Sequence, residues 1–189
     1  MKKNQIAIFA SGSGSNAENI SRFFYRHPAI EVCLFLTNNP DAFITERAKN
    51  LGIPCFILSR EDFYNTNKVL DKLITHKIDL VVLAGFLWLI PSNLIRYFPN
   101  RIINIHPALL PKYGGKGMYG NRVHQSVIDN HEPESGITVH YVNEEYDAGD
   151  IIFQAKCTVD VNETPESLAQ KVHELEYKHF PKVIESVLV

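Results

Sequence analysis

The sequence has no apolar run approaching the ~18 residues of a membrane span. Met1-Lys2-Lys3-Asn4-Gln5 leads into an apolar stretch too short for a signal h-region, so a cytoplasmic protein is expected. Cysteine is scarce. Cys33, Cys55 and Cys157 lie far apart in strand-like apolar runs, which predicts reduced core thiols rather than a disulfide, and no zinc spacing or other metal motif occurs. A basic excess is missing as well: the formal charge of −2 argues against a dedicated nucleic-acid binder and favours small-molecule chemistry. Repeats, low-complexity tracts and linkers are absent. With 189 residues, 45% of them hydrophobic and 21% charged, the chain reads as one domain over residues 1–189 with a sizeable core.

What is present begins with Asn104-Ile105-His106-Pro107. Arg101 to Ile105 reads as a strand, and alternation puts the side chains of Asn104 and His106 on one face, at the edge where Pro107 ends the ladder. A carboxamide and a protonated imidazole converging there suit an oxyanion that develops during acyl-type transfer. The competing reading is a strand-end Asn that starts a turn and a His that caps it. Further along, an acidic loop, Asn143-Glu144-Glu145-Tyr146-Asp147, lies between two strand-like segments. A carboxylate such as Asp147, within reach of an imidazole, would orient it and favour its charged form.

Strand and helix signals alternate through the first hundred residues. Strands are expected at Gln5 to Ala10, Ile30 to Thr37, Cys55 to Leu58, Leu80 to Leu83 and Arg101 to Ile105; helices are expected at Asn16 to Tyr25, Ala42 to Leu51, Asp62 to His76 and Pro91 to Tyr97. That pattern implies an α/β fold, a Rossmann-like doubly wound, mostly parallel sheet. Ser135 to Val142 and Ile151 to Val159 are joined too closely for a parallel crossover and should form a C-terminal antiparallel pair. A closing helix begins with Thr164 as N-cap and Pro165 at its first position, and Pro181 should kink or interrupt it.

The first loop, Ser11-Gly12-Ser13-Gly14-Ser15-Asn16, follows a strand and opens a helix, the setting of an anion site. Gly12-x-Gly14-x-x-Ala17 also satisfies the dinucleotide pattern, but the second strand ends in Leu36-Thr37-Asn38-Asn39, without the acidic residue a ribose of NAD requires. A phosphate monoester fits better, and a plain Ser/Gly turn remains the alternative.

Taken together, Ser11 to Asn16, Leu83-Ala84-Gly85-Phe86, Asn104 to Tyr113, and Gly136-Ile137-Thr138-Val139-His140 leading to Asp147-Ala148-Gly149 resemble the phosphoribosylglycinamide formyltransferase family, in order from about residue 6 to about residue 187. The resemblance implies transfer of the formyl group of the co-substrate 10-formyltetrahydrofolate to the amine of 5'-phosphoribosylglycinamide in purine synthesis, through a tetrahedral intermediate and without metal. It implies Asn104, His106 and Asp147 as catalytic residues. Gly14, Ser15 and Asn16 would hold the phosphate, with His173 nearby and Glu176 on the ribose. For the folate it implies Arg60 at the tail, Leu87-Trp88-Leu89-Ile90 and Asn104 along the pterin, and the loop of Asn143, Glu144, Glu145 and Asp147 at the pterin edge. Without the resemblance, His173 and Glu176, three apart, would pass for a solvated helix face.

Three features depart from the family pattern. Trp88 stands where relatives often carry a basic residue; the segment Gly114 to His124 is longer and glycine-rich, which suggests a mobile cover; and the chain ends soon after the last helix. His124 takes the place of a family His near the substrate. Small-molecule substrates are the expected partners, with no nucleic acid and no membrane, and oligomeric state is left open. Another formyltetrahydrofolate-using transferase or hydrolase, which would carry a further domain, and a non-catalytic phosphate- or nucleotide-sensing module are the competing functions.

Overall fold

The structure, a computed structural model, describes residues 2–189. Five parallel strands, β1 (Asn4–Phe9), β2 (Ile30–Thr37), β3 (Cys55–Ile57), β4 (Leu80–Leu83) and β5 (Ile102–His106), are followed by β6 (Glu134–Tyr141) and β7 (Ile151–Thr158), which run antiparallel. They form one seven-stranded sheet in the order β3-β2-β1-β4-β5-β6-β7. Both faces are covered, as parallel strands require. Along β1 the side chains alternate between two cores: Ile6 and Ile8 pack with α1 (Ser15–Phe23), α2 (Ile44–Leu51), α6 (Asn121–Asp129) and α7 (Pro165–Leu188). Ala7 and Phe9 pack on the other face with α3 (Arg60–Tyr64), α4 (Lys68–Thr75) and α5 (Ser92–Tyr97). This is the expected doubly wound sheet with a C-terminal antiparallel pair.

Strand order reverses between β1 and β4, and the crevice beyond the carboxyl ends of these strands is where open α/β sheets bind ligands.

Three local expectations are corrected. The helix expected at 62–76 is two helices. Between them the Asn65 amide bonds Glu61, Thr66 Oγ1 bonds the Asp62 carbonyl, and Lys68 N–H bonds Thr66 Oγ1, so polar side chains take over backbone partners. The glycine-rich segment gives way at Asn121 to α6, whose buried Val123 and Val127 are spaced i, i+4. Pro181 does not interrupt α7, which runs unbroken for 24 residues. The Tyr177 carbonyl, four residues before Pro181, instead accepts a hydrogen bond from Asn19 Nδ2 of α1 at 3.0 Å. Thr164 caps α7 as expected, accepting from Ser167 N–H at 3.2 Å.

Candidate active site

A cavity of about 690 Å³ opens at the switch point, walled by the loop 11–16 after β1, Ala84 to Leu87 after β4, Asn104 to Pro107 at the end of β5, the covering segment 115–121, and Tyr146, Asp147, His173 and Glu176. Its size falls within the range of small-ligand sites.

At one end, Asn104, His106 and Asp147 meet. Asp147 sits at φ 54, held by the Gly115 N–H on Oδ2 at 3.0 Å and the Asn104 amide on Oδ1 at 3.3 Å. His106, with its side chain 4% exposed, bonds the Tyr113 carbonyl through Nε2 at 2.7 Å and sets Nδ1 3.5 Å from Asp147 Oδ2. Because Nε2 faces a carbonyl, it carries the hydrogen of the neutral ring, so Nδ1 can donate only when the ring is protonated. Burial pushes the His106 pKa below the ordinary histidine value, while the Asp147 charge and the Tyr113 carbonyl pull it back up. Asp147 thus favours the charged ring, but desolvation outweighs the carboxylate and the net direction is downward. Burial also works against ionised Asp147, but the imidazoles of His140 and His106 and the Gly115 N–H prevail and bring its pKa below the usual carboxylate range.

Sequence reasoning passed over His140 as a site residue. It lies directly across from Asn104 in the β5–β6 ladder, buried, with Nε2 3.1 Å from Asn104 Nδ2 and Nδ1 2.8 Å from the Tyr141 carbonyl. The visible signal was polar Thr138 and His140 alternating through an otherwise apolar strand.

At the other end, α1 begins without a side-chain cap at Gly14; Ser15 N–H makes a long bond to Ser13 Oγ at 3.4 Å, and the next first-turn N–H groups are left for an anion. Gly14 adopts φ 70, and a Cβ there would lie 2.7 Å from Ile44 Cβ. Arg47 of α2 pins the loop by bonding the Ser13 carbonyl at 2.8 Å and pairing with Glu18. Asn16, His173 and Glu176 form one connected group, with Asn16 Nδ2 and His173 Nδ1 each 2.8 Å from Glu176 Oε2. His124 of α6 is buried beside them, and its Nδ1 has no partner.

The residues named for folate divide. Leu87, 44% exposed, lines the cavity with Phe86 and Tyr146, giving an apolar wall for a flat ring. Arg60, Trp88, Leu89, Ile90, Asn143, Glu144 and Glu145 lie outside its wall. Arg60 sits over the Trp88 ring, 5.2 Å from its centroid, and Trp88 packs among Phe63, Tyr64 and Phe86. Ile90 belongs to the core, the Leu89 carbonyl accepts from Tyr64 Oη, and Asn143 Oδ1 accepts the Glu145 N–H in a local turn. Among the described residues no helix is long and apolar enough to cross a membrane, and no group of three or more His, Cys, Asp or Glu is arranged to hold a metal ion.

Residues 4–184 match the family model described as formyl transferase. The chain is 40% identical over 192 residues to the chloroplastic phosphoribosylglycinamide formyltransferase of Arabidopsis thaliana, covering 98% of this chain and 66% of that protein. It is 36% identical to the phosphoribosylglycinamide formyltransferase of Bacillus subtilis, covering 100% and 95%. The chain thus spans 66% and 62% of the two plant relatives' lengths. In structure it superposes with a TM-score of 0.88 on glycinamide ribonucleotide transformylase 1 from Geobacillus kaustophilus, at 32% identity over 99% of this chain and 100% of the other. The ordered sequence motifs, the switch-point cavity and these likenesses agree: the chain belongs to the formyl transferase family, on its phosphoribosylglycinamide formyltransferase branch.

Proposed function

We propose that the chain transfers the formyl group of 10-formyltetrahydrofolate to the amine of 5'-phosphoribosylglycinamide. The observation that carries this reading is the placement of Asn104, His106 and Asp147 at one end of a cavity whose other end is the uncapped start of α1 beside Asn16, Glu176 and His173. Such a cavity seats a phosphoribosyl group at one end and presents its amine to the other. The apolar wall of Phe86, Leu87 and Tyr146 suits the flat ring of the formyl donor.

In the proposed reaction the free amine attacks the formyl carbon directly, with no covalent enzyme intermediate. Asn104 and charged His106 then hold the oxyanion of the tetrahedral intermediate. Of the two Asn104 amide contacts, the longer one to Asp147 is the one exchanged for the oxyanion, while His140 keeps the amide oriented. His106 donates through Nδ1, steadied on its far side by the Tyr113 carbonyl, and Asp147 favours the charged ring. A water beside Asp147 carries the proton from the attacking nitrogen to the leaving N10.

The deciding experiment is turnover of 10-formyltetrahydrofolate by the purified protein with and without 5'-phosphoribosylglycinamide. Turnover strictly dependent on the amine supports the reading. Equal turnover without it would identify a hydrolase, and none under either condition would leave only a binding module.

A further inference from the structure

The neutral ring of His106 has one hydrogen and two acceptors that compete for it. The Tyr113 carbonyl lies 2.7 Å from Nε2, and Asp147 Oδ2 lies 3.5 Å from Nδ1. The nearer acceptor decides the tautomer, and when the ring is charged each N–H has a partner. Were the carbonyl to withdraw, the neutral ring would turn its hydrogen to Nδ1 and the carboxylate, and the charged ring would leave Nε2–H buried without an acceptor. The catalytic form of His106 therefore depends on where residue 113 holds its carbonyl.

That residue is not held by its own preference. Tyr113 adopts φ 58, a left-handed conformation that disfavours an L side chain, in the segment that runs from β5 to the glycines of the cover. Its side chain supplies a restraint. Tyr113 Oη donates to Glu132 Oε1 at 2.9 Å, while Lys112 Nζ donates to the two oxygens of the same carboxylate at 2.8 and 3.1 Å, so one residue pins two consecutive side chains. Glu132 is itself anchored. Its N–H bonds the Val127 carbonyl in the last turn of α6 at 3.2 Å, and β6 begins at Glu134. The bonds from Lys112 and then from Tyr113 hold the Glu132 carboxyl below its usual range, and burial and the Glu132 bond push the Tyr113 phenol up. An ionised acceptor thus meets a protonated donor at neutral pH, the stronger kind of hydrogen bond. Further along the same segment, Gly115 N–H bonds Asp147 Oδ2 at 3.0 Å, so what restrains it bears on both members of the catalytic pair. Glu132, Lys112 and Tyr113 all stand outside the cavity wall.

We propose that Glu132 is a positioning residue for His106: by holding Tyr113 from outside the cavity, its carboxylate fixes the Tyr113 carbonyl against Nε2 and so keeps Nδ1 as the donor to the reacting oxygen. This rests on the role given to His106 in the reaction proposed above and adds the residue that sets its tautomer.

The test compares wild type with Glu132→Ala and Tyr113→Phe, which each remove the bond from hydroxyl to carboxylate, and with Glu132→Gln, which keeps an oxygen to accept it. Nitrogen NMR of the imidazole at about pH 8.5, above the ordinary histidine pKa of ~6.5, reads which ring nitrogen of His106 carries the hydrogen. In wild type and Glu132→Gln it should be Nε2; in Glu132→Ala and Tyr113→Phe a measurable share should move to Nδ1. Steady-state kinetics should find kcat lowered about five- to twentyfold in the same two variants, with both KM values within about threefold, and close to wild type in Glu132→Gln. A general loss of stability would not move the tautomer. Folded Glu132→Ala and Tyr113→Phe proteins whose hydrogen stays on Nε2 would overturn the proposal whatever their kcat, and so would a moved hydrogen with kcat unchanged. Tyr113→Phe keeps the ring that packs against the core, so it carries the test even if Glu132→Ala fails to fold. A hydrogen that moves in the variants, while wild type itself transfers no formyl group, would support the positioning and defeat only the reaction proposed above.

Discussion

Asn104 Nδ2 lies 3.1 Å from His140 Nε2, and the direction of that bond is set from outside the pair. His140 Nδ1 faces the Tyr141 carbonyl at 2.8 Å and carries the hydrogen of the neutral ring, which leaves Nε2 to accept from the amide, whereas a charged ring would turn Nε2–H toward Asp147 Oδ1, 3.6 Å away. The carboxamide is thereby held with its nitrogen toward His140 and Asp147. His140→Ala frees the amide to rotate and leaves a half-buried donor short of a partner. Losing roughly 1–3 kcal/mol of such support lowers kcat about 5- to 150-fold, and His140 acts by positioning rather than by touching the reacting atoms. Steady-state kinetics with saturating substrates reads this out; a kcat unchanged in the folded variant would mean that Asn104 needs no such support.

Direct loss of an oxyanion donor costs more. Asn104→Ala and His106→Ala should each lower kcat on the order of 100- to 1,000-fold, with KM moving less and the circular dichroism spectrum unchanged. Near-normal kcat in either folded variant removes that residue from the mechanism.

Gly14→Ala should act on binding instead. The positive φ disfavours any L side chain by roughly 1–2 kcal/mol, and the added Cβ lies 2.7 Å from Ile44 Cβ, so the loop must shift away from the start of α1. KM for the phosphoribosyl substrate should rise about tenfold or more while KM for the folate changes little. Equal rises in both would point to general distortion of the cavity.

The placement of Asn104 and His106 was legible because it needs only local rules: alternation along 101–106 and a proline at the strand end put both on one face. His140 was not, since its pairing with Asn104 depends on β6 lying antiparallel to β5, a register set by non-local packing. The sign of the His106 shift was hidden for the same reason: spacing can suggest a carboxylate neighbour, but the depth of burial that outweighs it comes from the whole fold. Glycines at 114, 115, 117 and 120 drew attention away from Val123 and Val127, the apolar spacing that marks α6. The sheet itself was readable because β1, β2, β4 and β5 are near-continuous apolar runs.

The continuity of α7 through Pro181 can be tested by a double-mutant cycle. Proline removes the N–H that would bond the Tyr177 carbonyl, and Asn19 Nδ2 supplies a substitute at 3.0 Å. Asn19→Ala should therefore cost about 1 kcal/mol by denaturant unfolding in the wild-type background. In a Pro181→Ala background, where the backbone N–H returns, the same change should cost much less. Equal costs in the two backgrounds would show that Asn19 and Pro181 are not coupled.

The last prediction concerns pH and the pair His106–Asp147. Burial sets the His106 pKa below the ordinary ~6.5, so in the ligand-free protein the ring is mostly neutral at pH 7. Yet Nδ1 can donate to an oxyanion only from the charged ring, because Nε2 is bonded to the Tyr113 carbonyl. The proton needed in the transition state is therefore lost as pH rises through the His106 pKa, and Asp147, whose charge raises that pKa, extends activity upward. The attacking amine must be unprotonated, with a typical α-amino pKa of ~7.7–8.0, so the two requirements oppose each other and the rate follows a bell whose limbs are macroscopic values. Asp147→Asn removes the negative charge: NMR should find His106 titrating at lower pH than in wild type, the maximum of kcat should fall, and the acidic bend of the profile, set by the lower of the two pKa values, should move the same way. A variant in which neither the His106 titration nor the acidic bend moves would show that Asp147 only shapes its loop through the Gly115 N–H.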